Sequence, residues 1–152
     1  PGVLAADQLL DEGLSLPDLP APMAEKLRAT LPPEASVANP IDLLADARED
    51  RFAAAIDAAI DSGAAAFDAI LMIHIVPFMV EADPVVATIA GRCAGANIPM
   101  LHSMMGTLDR RKEWFAQMEQ AGVPVFSDTE EMCAAAGLLA RHRELNMPQK
   151  KR

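Results

Sequence analysis

Tyrosine is absent, tryptophan occurs once and cysteine twice in these 152 residues, and 13 lysines and arginines face 22 aspartates and glutamates. Each shortage excludes something. A net charge of −9 repels phosphate backbones and anionic lipid, so neither nucleic acid nor a membrane is expected as a partner. Cys93 and Cys133 lack metal-ligand spacing, and two thiols in a chain with a sizeable core fit a reducing cytosol without a disulfide. There is no Gly-x-Ser-x-Gly elbow, no Walker loop and no dinucleotide fingerprint. The apolar run over residues 69–80 is broken by His74 and Pro77 and falls short of the ~20 residues of a membrane helix. These exclusions leave one soluble, cytoplasmic domain.

What the chain has in quantity is apolar side chains, 51% of the total. Residues 67–78, Phe-Asp-Ala-Ile-Leu-Met-Ile-His-Ile-Val-Pro-Phe, form the longest nearly unbroken run, and their Ile and Val content reads as a strand buried on both faces in the middle of a parallel sheet. Before it, residues 3–13 carry Leu and Ala at helical spacing up to a glycine suited to a cap. Pro17, Pro20 and Pro22 between leucines make an extended connection, and residues 24–31 a short helix ended by Pro32 and Pro33. Ser36, Val37 and Ala38 read as a short strand that stops at Pro40. Residues 47–61 form an amphipathic helix with Phe52, Ile56 and Ile60 on one stripe.

Beyond the central strand the pattern repeats. A helix over 83–95 has Asp83 as N-cap ahead of Pro84, followed by a strand over 98–104. A helix over 109–121 turns Trp114, Phe115 and Met118 inward, and a short strand spans 123–126. Ser127-Asp128-Thr129-Glu130-Glu131 opens a last helix that runs to about residue 145. Residues 1–145 are thus one domain and residues 146–152 a basic linker or tail. The order predicts an α/β, three-layer flavodoxin-like parallel sheet flanked by helices, with functional loops at the carboxyl ends of the strands.

Those loops hold the candidate residues. Asn39-Pro40-Ile41-Asp42 is the most specific short motif, readable as a turn that directs amides at a ligand or simply as a strand-ending turn. His74 ends the central strand beside Pro77 and is the best placed of three histidines, although packing is the commoner role for a histidine there. His102 reads as a satisfied interior side chain and His142, between Arg141 and Arg143, as exposed. Met105 and Gly106 close the next strand. Asn39, Pro40, Asp42, His74, Pro77, Met105 and Gly106 are therefore the ligand-facing or docking candidates, with no catalytic and no metal-binding residue expected.

In combination these motifs are familiar. Pro-Gly-Val-Leu-Ala-Ala-Asp from Pro1, Gly-Leu-x-Leu-Pro-x-Leu over 13–19, Leu31-Pro32-Pro33, Asn39-Pro40-Ile41-Asp42, a central strand ending at Pro77, Met105-Gly106, and Ala-Gly-Val-Pro-Val-Phe over 121–126 ahead of Glu130 follow one another in this order. The chain resembles the flavodoxin-like domain that follows the phosphohistidine ligase domain in NDP-forming acyl-CoA synthetases, a superfamily that includes succinyl-CoA synthetase. The resemblance covers nearly all of residues 1–145.

It implies a part of a larger acid-thiol ligase that converts an acid, CoA and ATP to acyl-CoA, ADP and phosphate through a phosphohistidine carried on another domain. CoA, ATP and Mg are implied for the full enzyme and none for this chain, which alone would be inactive. Its implied partners are the CoA-binding/ligase and ATP-grasp domains of the same enzyme, in an oligomer. Its implied role is to pack against them and offer a helix N-terminus to the phosphohistidine loop. His74, His102 and His142 lack the Ser-His-Thr-Gly context of the mobile histidine, and Leu43-Leu44-Ala45 and Val76-Pro77-Phe78 stand where succinyl-CoA synthetases are glycine-rich.

The family's first strand precedes Pro1, so the sheet is expected to lack it. Another segment or chain then replaces that strand, or the sheet closes without it, because each unpaired buried backbone group costs about 1–3 kcal/mol. Two other functions fit a domain of this shape, the regulatory synthetase-like region of a protein lysine acetyltransferase and a stand-alone flavodoxin-like binding module. A phospho-receiver is disfavoured because the central strand ends without an acceptor aspartate, and a flavin protein because a Ser/Thr-rich phosphate loop and tyrosine are lacking.

Overall fold

The computed structural model describes residues 1–146, and the basic tail expected from residue 146 lies outside them except for Asn146, which closes the last helix. Three parallel strands, β1 (Ile70–Val76), β2 (Met100–Gly106) and β3 (Val125–Phe126), form a sheet in that order. The register runs from Ile70 beside Met100 to Val76 beside Gly106, and His102 and Ser103 lie beside Val125 and Phe126. The helices are α1 (Gly2–Asp11), α2 (Ala21–Thr30), α3 (Glu49–Ser62), α4 (Ala82–Cys93), α5 (Arg111–Gln120) and α6 (Thr129–Asn146).

Alternation along the strands sorts the layers. On one face Met72, Val76, Met100 and Met104 meet Ile56 of α3, Val85, Val86 and Ile89 of α4, and Trp114 and Met118 of α5. On the other, Leu71, Ile73 and Leu101 meet Leu9 of α1 and Met132 and Ala136 of α6. Both faces of the sheet are thus covered, which is why the strands read as continuous apolar runs rather than alternating ones. Helix α2 lies outside α3, setting Met23, Leu27 and Leu31 on Ala58 and Ala59, and Leu19, Val37, Ile41 and Leu43 pin the extended connections to the same cluster. The α/β architecture, with a parallel sheet flanked by helices, is the one the sequence order predicts.

Two local expectations are corrected. Ser36, Val37 and Ala38 are not a strand of the sheet. The chain doubles back at Pro40, and Ser36 makes an isolated antiparallel bridge to Asp42 through backbone bonds of 3.2 and 3.0 Å, so its polar groups are committed within the loop. No strand precedes α1 among the described residues, and β1 stands at the edge of the sheet.

Asp83 does not cap α4, whose N-cap is Glu81, two residues earlier. Its carboxylate instead accepts hydrogen bonds of 2.5 Å from Trp114 Nε1 and 2.5 Å from Arg110, tying α4 to the start of α5. Replacing Asp83 by Ala would strand the indole N–H of a buried tryptophan. A loss of about 1–2 kcal/mol in denaturant-unfolding free energy is expected, whereas Arg110→Ala, at an exposed ion pair, should cost under about 1 kcal/mol.

Candidate functional site

Helices α3 to α6 each enter or leave the sheet so that their N-termini lie at the carboxyl edge of the strands. Helix α1 joins them there. It runs alongside α6 in the same direction, with Ala5 carbonyl near Cys133 Sγ at 3.8 Å and Glu12 paired to Arg141 at 3.0 Å, and a Cβ on Gly2 would lie 3.7 Å from Pro40. The carboxyl edge therefore gathers the start of α1 and the loops before α3, α4, α5 and α6.

The sequence-predicted residues take different roles on this edge. Asn39, joined to Pro40 by a cis peptide bond, donates from Nδ2 to the Pro17 carbonyl at 2.9 Å. Asp42 Oδ1 accepts the Leu44 amide at 2.9 Å, which holds Leu44 at a φ of 72°. Arg51 closes the loop below, bonding the Leu43 carbonyl at 3.1 Å and Asp46 at 2.7 Å, and the guanidinium holds the Asp46 carboxyl below its usual range. Asn39 is thus committed to the backbone of the proline-rich connection, and Asp42 to that of its own loop. Pro77 and Met105 are half-buried, and Gly106 is exposed, pressed against the Val76 carbonyl. Thr129 Oγ1 lies 3.8 Å from Met105 Sδ and 3.5 Å from Ser103 Oγ, joining β2 to the start of α6. Among the described residues no hydrogen bond connects the 39–42 loop to residues 74–78 or 105–106.

His74 belongs to the core. Its ring stacks on His102 with centroids 5.9 Å apart and planes 5° from parallel, and Phe52 of α3 lies 5.2 Å from it. His102 was expected to be satisfied, yet neither of its ring nitrogens finds a hydrogen-bond partner among the described residues, and His74 Nδ1 finds none either. Burial lowers the His74 pKa from 6.5 to about 4. Burial, and secondarily His74 itself, lowers that of His102 to about 3. Both rings are therefore neutral at pH 7. Burial also pushes the Cys93 thiol up to about 11, which leaves it protonated and poorly nucleophilic.

Charge separates the helix N-termini. Acidic residues occupy the first turns of α3 (Glu49, Asp50), α4 (Asp83), α5 (Glu113) and α6 (Glu130, Glu131), where they complement the dipoles, and Asp128 Oδ1 accepts the Glu131 amide at 2.8 Å. Helix α1 has no acidic residue in its first turn and no side-chain cap. Across residues 39–51, 77–83, 106–112 and 127–131 there are ten carboxylates and five bases. Among the described residues, the N-terminus of α1 has no carboxylate in its first turn, unlike the other N-termini at this edge.

Residues that sequence reasoning did not single out also stand here. Phe78 is 92% exposed and Met79 61%. Their signal is the proline at 77, which ends the strand before them and leaves Phe78 in the loop that follows, although the apolar run extends through it.

The Ligase-CoA domain family matches residues 1–146, all that the structure describes. The chain belongs to the Ligase-CoA domain family. This Ligase-CoA domain is 30% identical over 148 residues to the acetate–CoA ligase [ADP-forming] II subunit alpha of Pyrococcus furiosus, a match covering 93% of the chain and 31% of that subunit. A second relative, the acetate–CoA ligase [ADP-forming] of Methanocaldococcus jannaschii, is 44% identical over 46 residues, or 30% of the chain and 6% of that protein. Among solved structures, PH0766 from Pyrococcus horikoshii OT3 superposes with a TM-score of 0.83 at 26% identity, covering 96% of the domain and 34% of that protein. The fold is shared too with the Ca. Korarchaeum cryptofilum dinucleotide forming acetyl-coenzyme A synthetase 1 in complex with phosphate and ADP, at a TM-score of 0.84 and 23% identity over 99% of the domain and 33% of that chain. The domain thus spans about a third of the length of the subunit and structures that it matches over nearly its whole length.

Proposed function

We propose that this chain is the part of an ADP-forming acyl-CoA synthetase that docks the phosphohistidine loop of another domain at its carboxyl edge. The observation that carries this reading is the family match along the whole described chain, and a relative about three times as long as the matched segment supports reading it as one domain of a larger protein. The complete enzyme joins an acid to CoA at the expense of ATP, with Mg on the nucleotide. CoA, ATP and Mg are assigned to the other domains of that enzyme. A relative named as subunit alpha supports an assembly of several subunits. Buried free thiols support a cytoplasmic setting, and no helix among the described residues is long and apolar enough to cross a membrane.

The docking element is the N-terminus of α1. Its free amides and dipole meet an incoming phosphoryl group without a competing carboxylate, whereas α3 to α6 meet it with acids of their own. The dipole contributes only about 0.3–1 kcal/mol at an exposed end, so most of the holding comes from amide hydrogen bonds.

The test uses the complete synthetase with a panel of carboxylic acids, following acyl-CoA formation and phosphorylation of the protein. Val3 is 74% exposed in the first turn of α1, so Val3→Glu should leave folding intact. It is expected to slow phosphoryl transfer about tenfold by setting a like charge beside the phosphate. Transfer at the wild-type rate would reject α1 as the docking element, and a complete protein that forms no acyl-CoA from any acid would reject the enzymatic reading.

A further inference from the structure

Large apolar side chains stand exposed at nine described positions, and five of them, Val3, Leu4, Ile75, Phe78 and Met79, lie at the carboxyl edge. Single exposed apolar residues are ordinary, but adjacent Phe and Met side chains at 92% and 61% exposure on the crest of one loop are not. Burying a phenylalanine is favourable by about 1.5–3 kcal/mol, and aromatic anchors set in a partner's pocket dominate protein interfaces. Over the four loops of the carboxyl edge together carboxylates outnumber bases ten to five, and Glu81 is the carboxylate nearest the crest in sequence. Some two-thirds of the matched alpha subunit lies outside the matched segment, which on the synthetase reading gives apolar surface left bare here further chain to meet.

We infer that Phe78 and Met79 anchor this domain in an apolar socket, rimmed by lysine or arginine, on the remaining part of the same synthetase polypeptide. The inference rests on the synthetase reading and adds to it the anchor and the chemistry of the partner surface. The apolar pair supplies the affinity, and the acidic surround selects a basic rim and sets orientation.

The experiment is hydroxyl-radical footprinting of the complete synthetase, with carbodiimide cross-linking in parallel. Oxidation of Met79 is expected to rise about tenfold in Phe78→Asp and to stay at the wild-type level in Phe78→Leu, with the protection in wild type independent of protein concentration. Cross-links should run from Glu81 to lysines elsewhere in the same polypeptide. Rapid oxidation of Phe78 and Met79 in the wild type, protection unchanged by Phe78→Asp, or cross-links confined to this domain would each overturn the proposal. Protection that disappears on dilution would assign the patch to a second copy or another subunit and overturn it too. Acyl-CoA formation is scored separately. Free oxidation in an active synthetase defeats the anchor alone, and protection in a protein inactive on every acid defeats the enzymatic reading alone.

Discussion

Lowering the pH from 7 to 5 is expected to remove about 4 kcal/mol of folding stability through His74 and His102 alone, about 2 kcal/mol for each. In the unfolded chain both rings take a proton near pH 6.5, whereas in the folded protein they hold out to about 4 and about 3. Stability from this source is intact above pH 6.5. It falls as the pH drops below that value, because only the unfolded state gains protons, and the loss levels off once the folded pKa values are passed. Phe52 faces His74 from α3, and among the described residues no carboxylate acts on either ring to stabilise its cation. Since a domain of this size is held by ~5–15 kcal/mol, the pair can decide its acid limit.

The check is a pair of denaturant titrations, at pH 7 and pH 5, on the wild type and on His74→Leu/His102→Leu. The double variant should lose about 4 kcal/mol less than the wild type over this interval. At pH 7 it should be no less stable, because the substitution removes three buried nitrogens without partners, each costing about 1–3 kcal/mol, while filling similar space. Equal slopes in the two proteins would show that the pair titrates normally.

Gly106→Ala is the second large effect. Gly106 has a φ of 97°, and a Cβ there would lie 2.7 Å from the Val76 carbonyl oxygen and 3.3 Å from its nitrogen. Those atoms belong to the backbone of β1 in register with Gly106, so they cannot turn aside as a flexible side chain would. Backbone strain contributes about 1–3 kcal/mol, and relief of the clash requires the ends of β1 and β2 to part, giving an expected loss of about 3–4 kcal/mol.

Gly95→Ala is the control, since φ there is 75° but nothing lies within 4 Å of the added carbon. It should cost only about 1 kcal/mol. The difference in unfolding free energy between the two variants therefore measures the clash. Because Pro77 and Phe78 follow Val76 directly, Gly106→Ala in the complete synthetase should also weaken docking at that crest. Equal costs for the two glycines would mean that the strand ends yield freely.

Much of this architecture is legible in the residues. Continuous apolar runs around Ile73 and Leu101 read as strands covered on both faces, and helices with leucine, isoleucine or alanine at turn spacing lie between them, so the layers follow from local pattern. Asp128 announces the start of α6 and does cap it. The Ser36 segment misled because β-propensity in three residues carries no information about whether a neighbouring strand is there to pair with. Asp83 misled because Asp-Pro fits a helix start, while Trp114 and Arg110, far along the chain, compete for the same carboxylate.

The alternation of helices and strands, the covered sheet, the acid-bearing helix starts and the family can all be read from the chain, because each is written in neighbouring residues and their spacing. That His74 turns inward to stack on His102 while Phe78, in the same apolar run, stands in solvent emerges only when the layers pack. Which face a strand residue takes depends on the register between segments brought together from a distance, and where burial stops depends on where the opposite layer ends. Neither quantity is encoded in the composition of the run itself.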